Sequence, residues 1–176
     1  MCTILVRVMK YLVLTILCLL LASCDGGLAP PPPVELGFSG TVYFTPGSWP
    51  PSDSLISLLI FASQVYPLDS AKVYSGLFGS PTTIFAYPSL SGSLPFYVDS
   101  LSYSFPLRSG TYRYIGVIQQ TNSDLAGHGI RVLRVVGFYK DSTNLSQPGV
   151  VVVNDSAQVK GVNIDVDFRN LPPQPF

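Results

Sequence analysis

Val162-Asn163-Ile164-Asp165-Val166-Asp167-Phe168 decides the fold: four apolar residues alternate with three polar ones over seven positions. A period of two puts every second side chain on the same face of a strand, so Val162, Ile164, Val166 and Phe168 read as the core face and Asn163, Asp165 and Asp167 as the wet face. Working back from it, Val150 to Val153 and Gln158 to Phe168 flank Asn154-Asp155-Ser156, which reads as a hairpin. Thr111 to Gln120 and Arg131 to Tyr139 read as two more strands, separated by a polar loop from Thr121 to Gly129.

The first half repeats the pattern less cleanly. Phe38 to Phe44 is strand-like and stops at Thr45-Pro46-Gly47-Ser48, and Leu101 to Leu107 is extended up to the turn Arg108-Ser109-Gly110. Residues 55 to 65 carry too many consecutive apolar side chains for a clean period; a buried strand is expected over a helix capped by Asp53. Between Tyr66 and Pro95 the prolines at 67, 81 and 88 loosen the pattern, leaving a helical turn at Asp69 to Tyr74 and a short strand at Thr82 to Tyr87. About seven short strands without a long helix predict an all-β chain, an antiparallel two-sheet β-sandwich over residues 36–170, with a proline-rich tail at 171–176.

Ser109-Gly110-Thr111-Tyr112 at the start of a strand, with the Val-Lys-Gly-Val-Asn-Ile alternation from Val159 to Ile164, resembles the transthyretin-like or carboxypeptidase regulatory-like sandwich. Arg108 and Ser109 stand where that family often has proline, and the Tyr66 to Pro95 region exceeds its compact form. The resemblance implies a fold and no activity, since such domains are usually accessory, adhesive or carbohydrate-binding modules.

The N-terminal residues specify an address. Arg7 and Lys10 precede an apolar run from Tyr11 to Ala22, which is too short for a spanning helix of roughly 20 residues and fits a signal peptide over residues 1–23. Its exit, Leu21-Ala22-Ser23-Cys24, resembles the lipobox of bacterial lipoproteins. That resemblance implies a diacylglycerol thioether on the Cys24 sulfur, cleavage before Cys24, and an N-acyl chain. It places the protein in the bacterial cell envelope, periplasmic or surface-exposed, and makes the membrane its first partner through the lipid anchor. Several acyl chains on one residue make release negligible where a single chain binds only marginally. Residues 24–35, with Pro30 to Pro33 in a row, read as an extended tether of about 30 Å or less.

Removing residues 1–23 takes Cys2, Cys18, Arg7 and Lys10 away, so Cys24 is the remaining cysteine and 8 basic residues face 10 acidic ones. No disulfide is then available, and no dense basic stretch exists to neutralise phosphates, so nucleic acid is not an expected partner. His128, the only histidine, has Asp124 four residues before it; an envelope hydrolase would need these two and a serine brought near by folding. A solvated loop histidine is the expectation, with no catalytic residue and no cofactor beyond the acyl chains. Asn163, Asp165 and Asp167 are oxygen donors for a calcium alternative, but alternate strand residues lie about 7 Å apart, which favours a solvated face. The binding candidates are aromatic: Trp49, Tyr74 and Phe78, which would grip an envelope protein or stack on a glycan as in a carbohydrate-binding module, although rings that close the ends of the sandwich core are the expectation.

Overall fold

A computed structural model describes residues 35–176; the signal, Cys24 and the proline tether lie outside the described residues. Nine strands form: β1 (Gly37–Phe44), β2 (Ser57–Ser63), β3 (Ile84–Tyr87), β4 (Ser100–Pro106), β5 (Gly110–Tyr112), β6 (Tyr114–Gln120), β7 (Leu133–Phe138), β8 (Val151–Val153) and β9 (Ile164–Val166). Two helices accompany them, α1 (Ser70–Phe78) and the short α2 (Leu125–His128). One sheet has the order β4-β1-β9, a second β3-β2-β6-β7, and β5 pairs with β8 in a third, two-stranded one. The chain is all-β and sandwich-like, as expected, with nine strands where about seven were read.

The deciding stretch is a strand, but its pairing differs from the expected hairpin. β9 runs parallel to β1, with Val42 opposite Ile164 and Phe44 opposite Val166, while β8 leaves to pair with β5. All other strand pairs are antiparallel. The alternation was right about faces and silent about neighbours: Val162, Ile164 and Val166 are buried, and Asn163 and Asp165 are exposed.

The core lies between the two larger sheets. Phe38 is its aromatic centre, with ring centroids 5.3 Å from Phe105, 6.1 Å from Tyr103 and 6.3 Å from Tyr112. From the opposite sheet come Leu58, Ile60, Ala62, Ile115 and Val117. Each fully buried side chain of this size is worth roughly 1.5–3 kcal/mol, and packing of this kind holds a domain whose sandwich contains no cysteine.

Residues 57–63 are strand, and the absence of a clean period has a structural cause. Both faces of β2 and β6 are covered: the inner face by the other sheet, the outer by α1, where Val73 and Leu68 pack on Phe61, Tyr114, Ile118 and Val135. The helical turn expected at Asp69 to Tyr74 is longer, running to Phe78. Asp69 starts it by accepting the Lys72 N–H at 2.9 Å, and Gly79 ends it. Gly76 permits the close packing, since a Cβ there would lie 2.6 Å from Ile84 Cγ1.

The proline-rich tail also has a task. β7 is an edge strand, and the Gln174 amide pairs with it as a strand would, accepting from Val135 N at 2.9 Å and donating to Val135 O at 3.0 Å. Gln174→Ala is expected to lose about 1–3 kcal/mol, the cost of stranding buried backbone groups. A urea midpoint equal to that of the unsubstituted protein would show the edge satisfied some other way.

Candidate functional site

Trp49 follows the turn after β1 and is half-buried. Its ring lies 4.5 Å from Phe44, 4.9 Å from Phe168 and 5.3 Å from Tyr97, so it closes one end of the sandwich core. Tyr97 is more than half exposed and its backbone sits at φ 57°, a conformation that costs a bulky residue free energy and that holds its ring on Trp49. Nothing local signals that pairing, since 48 positions separate the two residues.

Tyr74 and Phe78 lie one turn apart on α1, with 5.3 Å between ring centroids and exposures of 62% and 52%. They project from the helix while Val73 and Gly76 face the sheet. Their planes are tilted by 53°, and those of Trp49 and Tyr97 by 48°, so each pair forms a ridge and not the flat platform that stacks on a sugar ring. Trp49 and the Tyr74–Phe78 pair belong to separate clusters, one at the core end and one on the helix.

The oxygen donors are engaged separately. Asn163 Oδ1 accepts the Thr41 N–H at 2.9 Å, and Asp165 Oδ2 lies 3.9 Å from Lys140 Nζ. Asp167 accepts from Asn170 Nδ2 at 2.8 Å and from Arg169 N at 2.9 Å, contacts that hold its carboxyl below the usual carboxylate range. Among the described residues, no group of three or more His, Cys, Asp or Glu gathers as a metal shell would require.

His128 Nδ1 lies 3.5 Å from Asp124 Oδ2 and 3.3 Å from Asp124 O, with both side chains more than half exposed. Asp124 Oδ1 meanwhile accepts the Gly127 N–H at 2.7 Å, so this carboxylate also caps the turn. Among the described residues, no serine hydroxyl hydrogen-bonds His128, and the pair has the geometry of a solvated i, i+4 contact.

The outer face of the three-stranded sheet carries a row of hydroxyls that the expected sites do not include. Ser39 stands opposite Ser104, Thr41 opposite Ser102 and Tyr43 opposite Ser100, each side chain pointing away from the core. The signal was present as Ser-x-Thr-x-Tyr in β1 and Ser-x-Ser-x-Ser in β4. This face is polar and nearly uncharged, with Gln158 Nε2 donating to Ser104 Oγ at 2.7 Å, whereas the outer face of the other sheet is covered by α1. Among the described residues, no helix is long and apolar enough to cross a membrane. No family model matches the chain, and neither a curated protein nor a solved structure matches it.

Proposed function

We propose that the chain is a lipid-anchored lipoprotein of the bacterial cell envelope whose transthyretin-like β-sandwich works as a noncatalytic binding, adhesion or structural module. The observation that carries this reading is Leu21-Ala22-Ser23-Cys24 after a basic start and a short apolar run. A thiol nucleophile preceded by two small residues is what thioether formation and cleavage require, and the tether that follows keeps the sandwich close to the bilayer. Supporting a noncatalytic role, His128 pairs with a carboxylate that caps its own turn, and two exposed rings, Tyr74 and Phe78, form an apolar ridge suited to holding a protein or glycan of the envelope. The ridge costs no unfolding to use, since its residues leave the buried face of α1 undisturbed.

Cys24→Ser tests the reading. The substituted protein is expected to stop incorporating labelled palmitate, to retain its signal peptide and to leave the detergent-soluble lipoprotein fraction. Palmitate incorporation equal to that of the unsubstituted chain would overturn it.

A further inference from the structure

We infer that β4 is an interface strand and that its partner is the β4 of a second copy of this chain. The backbone bonds of β1 determine which groups of β4 are left free. Val159 N donates to Gly37 O at 3.0 Å, Ser39 N to Val159 O at 2.8 Å, and Thr41 N to Asn163 Oδ1 at 2.9 Å, so these three residues turn toward the β9 side. Phe38, Gly40 and Val42 therefore bond to β4, engaging Phe105, Tyr103 and Leu101 in register. On β4 the backbone N–H and C=O of Ser100, Ser102 and Ser104 consequently point away from the sheet. Among the described residues, no group bonds to them.

The other edges of the two larger sheets are guarded. β3 has four residues between Pro81 and Pro88, and β7 is occupied by Gln174. β9 has three residues, carries the Asp165–Lys140 pair and lies against β7, where a Cβ on Gly137 would meet Asp165 O. β4 is seven residues long, bears no charge and ends at Pro106. Clefts of about 340 and 220 Å³ separate it from β3 and residues 88–95, one at Phe105 to Leu107 and one at Leu101 to Tyr103. An unguarded edge of this kind templates strand addition.

Its sequence fits itself. With a twofold axis through Ser102, that residue meets its own copy and Ser100 meets Ser104 of the second copy, each pair exchanging two N–H···O bonds. No like charges meet across the axis, and serine stands opposite serine, with Ser104 Oγ already accepting from Gln158 Nε2 at 2.7 Å. Among the described residues the two larger sheets offer one such edge per copy, so pairing through it stops at a dimer and joins the two three-stranded sheets into one.

Cysteine placement on the full chain tests the register. Residues opposite each other in a hydrogen-bonded pair have Cα atoms about 5.5 Å apart, within disulfide range. Under mild oxidation Ser102→Cys is expected to convert most of the chain to covalent dimer. Ser100→Cys alone should give only the background of the unsubstituted chain and of Val152→Cys, an exposed control on β8, while the Ser100→Cys/Ser104→Cys pair should crosslink. Ser102→Lys, which faces two ammonium groups across the axis, should halve the sedimenting mass in detergent without moving the urea midpoint. The proposal is overturned if Ser102→Cys does no better than Val152→Cys, if Ser100→Cys crosslinks equally well, or if Ser102→Cys captures a different polypeptide.

Discussion

Gly137→Val should unfold this protein at urea concentrations that the unsubstituted chain withstands, with a loss of about 3 kcal/mol or more. Gly137 lies on the inward side of β7, where the second sheet approaches β9 of the first. A Cβ at this position would press into Asp165 O and stand 2.9 Å from Val166 Cγ2. One of those atoms is backbone, so no rotamer change relieves the contact, and the two sheets must separate at the point where β9 is inserted. A domain of this size has roughly 5–15 kcal/mol to lose in total. The contrast is Gly47→Ala: no atom lies within 4 Å of that Cβ, and only its backbone at φ 68° is strained, for about 1–2 kcal/mol. If the two variants unfold at the same midpoint, the approach of β7 to β9 is not a tight contact.

Gly137 also shows why part of the fold was legible and part was not. The sequence reading took Arg131 to Tyr139 as one strand, and β7 does form there, but the glycine inside Val-Val-Gly-Phe marks an irregularity: the register with β6 shifts between Val117 and Ile118. Val135 then faces α1 while Val136, one residue on, faces the core between the sheets. Strands with one bare face were easy to read, because water enforces alternation on β1 and β9. Ser57–Ser63 and Tyr114–Gln120, buried throughout, lose that signal, and their facing could only be known once α1 was in place. α1 itself was under-read since its apolar contacts, Val73 and Leu77, are flanked by two aromatic residues that point to solvent.

The pairing of β9 was out of reach for a different reason. A hairpin is the default for two strands joined by a short turn, and nothing local distinguishes β8–β9 pairing from the actual partners, β5 and β1. What selects the parallel arrangement is long-range: Gly40 has no Cβ to push against Val162 O, and Tyr103 reaches across to donate to that same carbonyl at 2.6 Å. The candidate rings divide along similar lines. Trp49 is flanked in sequence by turn residues, which made it a binding candidate beside the expected core-end role; its neighbours in space are Phe44 and Phe168, and most of its surface is spent on the core end.

Alkaline unfolding should begin near pH 10 and be steep. The Tyr103 and Tyr114 side chains are 6% and 3% exposed, and burial pushes both hydroxyls well above the usual phenol range. Tyr112 is shifted the same way, again by burial, with Arg108 nearby working against it. In the unfolded chain these phenols release their protons near pH 10, whereas the folded chain keeps them. Above that pH the unfolded state binds fewer protons, so stability falls as pH rises; it is fully present below pH 10. Each proton held differentially costs about 1.4 kcal/mol per pH unit, so Tyr103 and Tyr114 together remove roughly 5 kcal/mol by pH 12, comparable with the whole stability of many domains. Urea midpoints measured between pH 8 and 12, alongside tyrosinate absorbance, should show ionisation arriving with unfolding. Tyr114→Phe should take away about half of this slope at little neutral-pH cost, because its hydroxyl makes no hydrogen bond among the described residues. Tyr103→Phe should do the same to the slope while costing about 1 kcal/mol at neutral pH, since its bond to Val162 O is lost. A stability that stays flat to pH 12 would mean that water reaches both hydroxyls, and the packing of Tyr103 between the β1–β4 sheet and Val162 would then be looser than the 2.6 Å contact requires.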